Sequence, residues 1–380
     1  MRIIHIIPAY KPAWSYGGPT GSVSLLCESL AASNQQVEVY TTRAKGKQEL
    51  QIKSSNPRFI SGVKVRYFKR LTKDPTHFSP SLLLHLYLAI RKKEPIVIHI
   101  HSWWNLVSIL SAVIALSQKK SVVLSPRGML SPYTFSSGRK FLKKLIHFFT
   151  KALLTGCHMH ATTEQEKHEI LTLTGAEQLS VIPNLLKSTF RAEHARSDDN
   201  IFKILFLSRV DPKKGLEILF EALASLDFTW HMSIAGTGTT DYISLLRGRT
   251  EKLNIARSIV WLGEVDQVEK YKLLLSHDIL ALLSHNENFG NVVLESLSVG
   301  TPVLISTEVG LTDYVDEHGL GWISEMCPKS AEKSLRQAYA DNQKRQRIAV
   351  TAPSLVSKHF SPQLLCKKYI HLYNVVYEQS

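Results

Sequence analysis

The stretch DILALLSHNENFGNVVLESLSVGTPVLIS, residues 278–306, reads as a strand, a loop, a helix and a second strand. The apolar runs DILALLS and PVLIS stand at its two ends. Short, nearly continuous apolar strands on either side of a helix belong to a parallel sheet covered on both faces. With a helix start near Gly290–Asn291, Glu287 falls in the loop and Glu295 in the second helical turn. The amides of Phe289, Gly290 and Asn291 are then free to meet an anion. Glu287, with Asn288 beside it, is placed to accept hydrogen bonds from sugar hydroxyls, and Glu295 to grip a vicinal diol such as a ribose. Taken singly, a glutamate at a helix start is as often a dipole partner.

The same unit recurs in both directions. Predicted strands are 2–7, 37–42, 63–68, 96–101, 121–125 and 158–163, then 202–208, 231–236, 258–263, 278–284 and 302–306. Between the two series, LKSTFRAEHARSDDN turns polar and aperiodic, as a linker does. The reading is an α/β protein of two doubly wound, Rossmann-like domains facing a central cleft, 1–185 and 190–360. A final helix at about 363–380 packs back on the first domain.

Composition bounds the function. The chain has 380 residues, 44% hydrophobic and 21% charged, and suits a soluble globular protein. Cys27, Cys157, Cys327 and Cys366 form no CxxC pair, which favours a reducing compartment over a disulfide framework. The longest apolar run, LVSILSAVIALS, is shorter than a membrane span of about 20 residues. The net charge of +14 is lopsided: residues 1–187 hold 25 basic and 9 acidic side chains. Such a half is expected to meet an anionic surface.

In doubly wound sheets ligands bind where strands run out into loops, so candidate residues are sought there. After strand 2–7, Gly17 and Gly18 precede a helix and let backbone amides approach a phosphate. After 202–208, Arg209 and Lys214 surround another helix start and form a diphosphate site. Neither stretch matches the GxGxxG or GxxxxGK[ST] fingerprint. His99 and His101 lie on one strand. Only His101, at its exit, is expected to share a face with the cleft, and His99 is assigned to the core or the opposite face. No Asp-x-Asp pair occurs and no carboxylate lies near these histidines, so no metal is expected. Trp14, Tyr16, Trp103 and Trp104 follow strands of the first half and are candidates to stack on a sugar or a lipid.

Together, YGGPTGSV, HIH, ATTEQEK, VIPN, FLSRVDPKKG, IAGTG, LGEV and ENFGNVVLESLSVGTPVL resemble the retaining GT-B glycosyltransferases of family 4, in that family's order over nearly the whole chain. ENFGNVVLE matches the family's Glu-x7-Glu signature, and SPRGMLSPYTF looks like a bacterial polysaccharide-cluster subgroup. The resemblance implies that Arg209 and Lys214 hold a donor diphosphate, with Gly18 approaching from the other domain. It places Glu287 on the donor sugar, Glu295 on the ribose and His101 in the catalytic pocket. The family's Gly-His before the second strand and its Gly after VIPN are replaced by NQQVEV and Leu185.

The activity implied is a metal-independent retaining hexosyl transfer without cofactor, from a nucleotide sugar to a lipid-linked or oligosaccharide acceptor of O-antigen, capsule or exopolysaccharide synthesis. Glu287 is aimed at the far hydroxyls of the sugar, which leaves a same-face substitution in which the departing phosphate takes the acceptor's proton. RKFLKKLIHFFTKALL (139–154) sets Lys140, Lys144 and Lys151 on one helical face and Phe141, Leu145 and Phe148 on another. That pattern suits an interfacial helix on anionic lipid, with the protein peripheral on the cytoplasmic side of the membrane. Arg127 is a candidate for an acceptor phosphate. Two other readings use the same features: a non-catalytic partner protein of this fold, and a basic nucleic-acid binder, although no nucleic-acid partner is expected.

Overall fold

The computed structural model describes residues 1–46, 48–52, 56–136, 138, 140–187 and 201–379. The chain divides into two compact units, Met1–Lys187 with Pro362–Ser380, and Ser188–Ser361. The polar segment read as a linker lies outside the described residues from 188 to 200, as does Arg139.

The first unit is built on β1 (Arg2–Ile7), β2 (Gln36–Thr42), the short pair β3 (Ala44–Lys45) and β4 (Gln48–Glu49), β5 (Arg58–Ile60), β6 (Val63–Phe68), β7 (Ile96–His101), β8 (Ser121–Ser125), β9 (His158–Ala161) and β10 (Leu179–Val181). Eight of these form one sheet in the order β10-β9-β8-β7-β1-β2-β6-β5. Its pairings are parallel apart from β5 on β6. Its helices are α1 (Gly18–Ala32), α2 (Pro80–Ile90), α3 (Leu106–Ser117), α4 (Pro132–Ser136), α5 (Lys140–Thr155) and α6 (Glu164–Thr174), with α14 (Pro362–Glu378) returning from the far end of the chain.

The second unit has β11 (Phe202–Leu207), β12 (Trp230–Ala235), β13 (Ile259–Gly263), β14 (Ile279–Leu282), β15 (Val303–Ser306) and β16 (Gly321–Ser324) in the wholly parallel order β13-β12-β11-β14-β15-β16. Around them run α7 (Leu216–Ala224), α8 (Thr240–Lys252), α9 (Gln267–Ser276), α10 (Asn291–Ser298), α11 (Thr312–Glu317), α12 (Pro328–Ala340) and α13 (Asn342–Phe360).

The central strands read as continuous apolar runs because helices cover both faces of each sheet; every residue of β7 and β14 is buried. In each unit the strand order reverses beside the first strand, between β1 and β7 and between β11 and β14. Those two reversals are where such sheets accept ligands. The strands that the apolar pattern did not announce, β3, β4, β5, β10 and β16, have four residues or fewer. No helix among the described residues is long and apolar enough to cross a membrane.

Candidate active site

At the reversal in the second unit, the chain leaves β11 through Ser208 and the exposed Arg209. Asp211 caps the next turn, its side chain accepting from the Lys213 amide at 3.0 Å. Gly215 then adopts φ 65°. A Cβ there would be driven into the carbonyl oxygen of Leu283, just past β14. Glycine therefore lets the two loops touch. The contact is locked by the His285 amide donating to the Lys213 carbonyl at 2.8 Å. The result is a side-chain ion pair: buried Lys214 donates through Nζ to Glu287 Oε2.

Glu287 is fixed by its backbone as well. Its amide donates to the Glu308 carbonyl at 2.9 Å, and its carbonyl accepts from Gly310 at 2.8 Å. Gly290, at φ 83°, opens α10. Phe289 is buried and meets Phe360 edge-on at 6.2 Å. Its ring anchors the loop, so the expected sugar contact is limited to its amide. Asn288 and Asn291 are half-buried in the same loop and first turn. Glu295, one turn further along α10, accepts from Lys270 at 2.7 Å. The two glutamates thus each hold a lysine, from different elements. Burial, and then the neighbouring Lys214 and Arg209, lower the Lys213 ammonium below its ordinary range against the opposing pull of Glu287. Ser284 Oγ and Asn286 Oδ1 are buried here without a hydrogen-bond partner.

At the reversal in the first unit stands a buried histidine cluster. His5 on β1 is in register with His99 on β7. The rings of His99 and His101 are 4.1 Å apart, and those of His5 and His101 are stacked at 5.2 Å. The expectation that His99 and His101 face opposite ways is corrected: residues two apart on a strand share a face. His101 has no exposed surface, so it does not line an open pocket as expected.

The hydrogen bonds give each ring a direction. His160 Nε2 donates to the Ile182 carbonyl at 2.9 Å, because a carbonyl only accepts. Ser125 then donates to His160 Nδ1 at 2.6 Å and accepts from His99 Nε2 at 2.6 Å, while Tyr373 of α14 donates to His99 Nδ1 at 2.8 Å. On the other side Arg127 Nη2 lies 3.5 Å from His101 Nδ1, and His101 Nε2 donates to His5 Nδ1 at 2.9 Å. Burial, and secondarily Arg127, push His5 and His160 down to about 3, so these rings are neutral. The His5, His99 and His101 ligand atoms lie within 4.8 Å of one another. Both ring nitrogens of His99 and of His101 are already taken by hydrogen bonds, so the cluster does not fit a metal without dismantling them.

Arg127 itself sits at φ 56°, and Ser102 and Trp104 after β7 also have positive φ. Such conformations cost about 1–2 kcal/mol each for non-glycine residues. Glu166 holds the Arg127 turn in place. Its carboxylate accepts from the Gly128 amide at 2.7 Å and from the Thr162 amide and hydroxyl at 2.7 and 2.8 Å. Thr163 in turn caps α6 by accepting from the Glu166 amide. Arg127 donates to Asn184 at 2.6 Å, inside VIPN. Glu166, Asn184 and His5 were not singled out from the sequence. For Glu166 a signal existed, since Thr163-x-x-Glu166 is a capping box.

The remaining candidates scatter. Gly17, at φ 67°, precedes α1 and Gly18 is its first residue, and neither is buried. Trp14 is exposed. Tyr16 donates to Asp74 and accepts from the Gly46 amide, which makes it a loop tie. Trp103 is corrected: it is buried in the core of the first unit and packs rather than meeting a ligand. Trp104 is half-buried, its indole N–H on the Met129 carbonyl. Lys140, Lys144 and Lys151 are exposed on α5.

Comparison with known proteins settles the family. Residues 187–354 match the family "Glycosyl transferases group 1", and residues 16–187 match "Glycosyltransferase Family 4". The chain belongs to the group 1 glycosyltransferases. An uncharacterized glycosyltransferase of Methanocaldococcus jannaschii is 28% identical over 50% of this chain and 49% of its own length. The D-inositol 3-phosphate glycosyltransferase of Jonesia denitrificans is 23% identical over 93% of this chain and 90% of its own. Among solved structures, Anabaena HepE in complex with UDP and glucose has a TM-score of 0.74 at 18% identity, covering 98% of this chain and 99% of that one. The fold of this glycosyltransferase is accordingly GT-B.

Proposed function

We propose that this glycosyltransferase moves a hexose from a nucleoside diphosphate donor, with retention and without a metal, to a hydroxyl of a lipid-linked surface glycan. The observation that carries the reading is the Lys214–Glu287 pair beside Arg209 at the strand reversal of the second unit. A departing diphosphate needs cations and oriented donors. Arg209, Lys214 and the amides that open α10 are such groups. Glu287 orients the sugar, and Glu295 is assigned to the ribose, where the diol competes with Lys270. The anomeric carbon–phosphate oxygen bond breaks and the bond to the acceptor oxygen forms on the same face. The acceptor's proton passes to the departing phosphate oxygen. Arg127 is assigned to the acceptor, and His101 to positioning Arg127 rather than to touching the sugar.

The membrane side of the proposal rests on α5. Lys140, Lys144 and Lys151 are exposed there with Phe141, Phe148 and Phe149, 80%, 76% and 71% accessible. Bare aromatic rings among lysines favour lipid over the nucleic-acid reading. The place of work is then the cytoplasmic face of a membrane.

A melting-temperature panel with UDP-, GDP- and ADP-sugars tests the donor site. One donor is expected to raise the midpoint in the native chain and not in Arg209→Ala. No stabilisation by any of them overturns the donor reading. An inverted anomer in the product overturns retention.

A further inference from the structure

Beside α5 the first unit carries a pocket whose apolar wall none of the roles above uses. Its volume is about 390 Å³, within the roughly 300–1,000 Å³ of small-ligand sites. Leu130, Pro132, Phe135 and Leu173 make an apolar wall, and Lys140 and Lys144 of α5 stand over it. Leu130 is buried, Phe135 and Leu173 are half-buried and both lysines are exposed, so the pocket is an open apolar hollow with a cationic edge. Glu169 is the one carboxylate on its wall.

We propose that this pocket takes one hydrocarbon chain of a phosphate-headed membrane lipid, with the phosphate held by Lys140 and Lys144. The inference rests on the membrane reading of α5 and goes beyond it, from adsorption on a surface to capture of a single chain. Charge complementarity names the occupant. No acidic residue occurs from Pro95 to Thr163, a span that contains α4, α5 and most of the apolar wall. Two ammonium groups over an apolar chamber match an amphiphile with an anionic head. Two ammonium groups against the single carboxylate of Glu169 leave the edge net positive, which favours an anionic head over a neutral one, and a free anion leaves the hollow empty. Phe141, Phe148 and Phe149 on the same helix bring the mouth to the depth at which chains begin. Each CH₂ moved from water into such a hollow favours insertion about fourfold, so a few carbons suffice.

The test uses the whole chain and lysophosphatidylglycerol, a single-chain anionic lipid, below its micelle concentration, followed by calorimetry. One lipid is expected per chain. Thr172→Trp, which fills the pocket from its wall, and Lys140→Glu/Lys144→Glu are each expected to weaken binding about tenfold or more. Phe141→Ser/Phe148→Ser is expected to lose vesicle adsorption while keeping the single lipid. Ser136→Trp is the second filling variant should Thr172→Trp misfold, and the thermal unfolding midpoint without any nucleotide sugar reports folding in all of them. Equal binding by the filled variants overturns the proposal, as does equal affinity for lysophosphatidylcholine or for glycerol phosphate. The lipid readout requires no nucleotide sugar, so failure of the donor assignment and failure of this pocket are separate results.

Discussion

Lys214 and Glu287 lie 73 residues apart and meet as an ion pair at the carboxyl ends of adjacent strands, β11 and β14. The pair is partly buried, with 9% and 25% of the two side chains accessible. Lys214→Met leaves Glu287 without its partner and removes a diphosphate cation. It is expected to lower turnover by about 10²-fold or more, as loss of a preorganised charge donor does. Glu287→Gln is expected to lower turnover with a smaller loss of nucleotide affinity, because its assigned partner is the sugar. Initial rates and nucleoside diphosphate titration distinguish the two variants.

Gly215→Ala tests the contact between the two loops. The new Cβ is forced against the Leu283 carbonyl, and φ 65° disfavours any side chain. A loss of about 2–4 kcal/mol is expected, read as a lower midpoint in urea. Gly290→Ala, at φ 83°, meets side-chain carbons rather than backbone, Val309 and Val293 methyls at 3.2 and 3.3 Å and Glu287 Cγ at 3.6 Å, and should cost less.

The histidine cluster sets a pH dependence. His5 and His160 have folded values near 3, below the ordinary 6.5, so the folded state binds fewer protons than the unfolded state between those limits. Stability is therefore full above about pH 6.5 and falls as pH drops towards 3, by up to ~1.4 kcal/mol per pH unit for each histidine. Around them stand His99, His101, His158, Arg127, Tyr369 and Tyr373, and among the described residues no carboxylate acts on either ring to reverse the sign. Urea midpoints across that range check the slope, and His160→Gln should flatten it.

Glu166→Ala strips the acceptor from the Gly128 and Thr162 amides. Leaving such donors unsatisfied costs about 1–3 kcal/mol. The distinctive outcome is a rise in acceptor KM with donor KM unchanged, since Glu166 shapes the turn that carries Arg127.

Much of this was legible in the sequence. The central strands were readable because a strand covered on both faces must be largely apolar, as 96–101 is apart from His99 and His101 and 202–207 apart from Lys203. β5 and β16, with three and four residues, carry too little pattern to stand out. The loop bearing Glu287 could be placed because Gly290 and the following helix announce it. Its partner could not, since a lysine 73 residues away leaves no local trace. Trp103 was misassigned because an aromatic after a strand reads the same whether it turns inward or outward. The histidines were misjudged by the wrong strand period, which the pairing of β1 with β7 puts right.

Tyr373 and Tyr369 join the histidine hydrogen-bond chain from α14, which follows the second unit along the chain. The first unit therefore remains short of one wall while the ribosome synthesises the whole of Ser188–Ser361. Domains emerging from a ribosome generally fold in order, the N-terminal one first. Here that order is interrupted: the second unit has all its strands before the first can close. Until α14 arrives, His99 and His160 lack the Tyr373 and Tyr369 hydroxyls as partners.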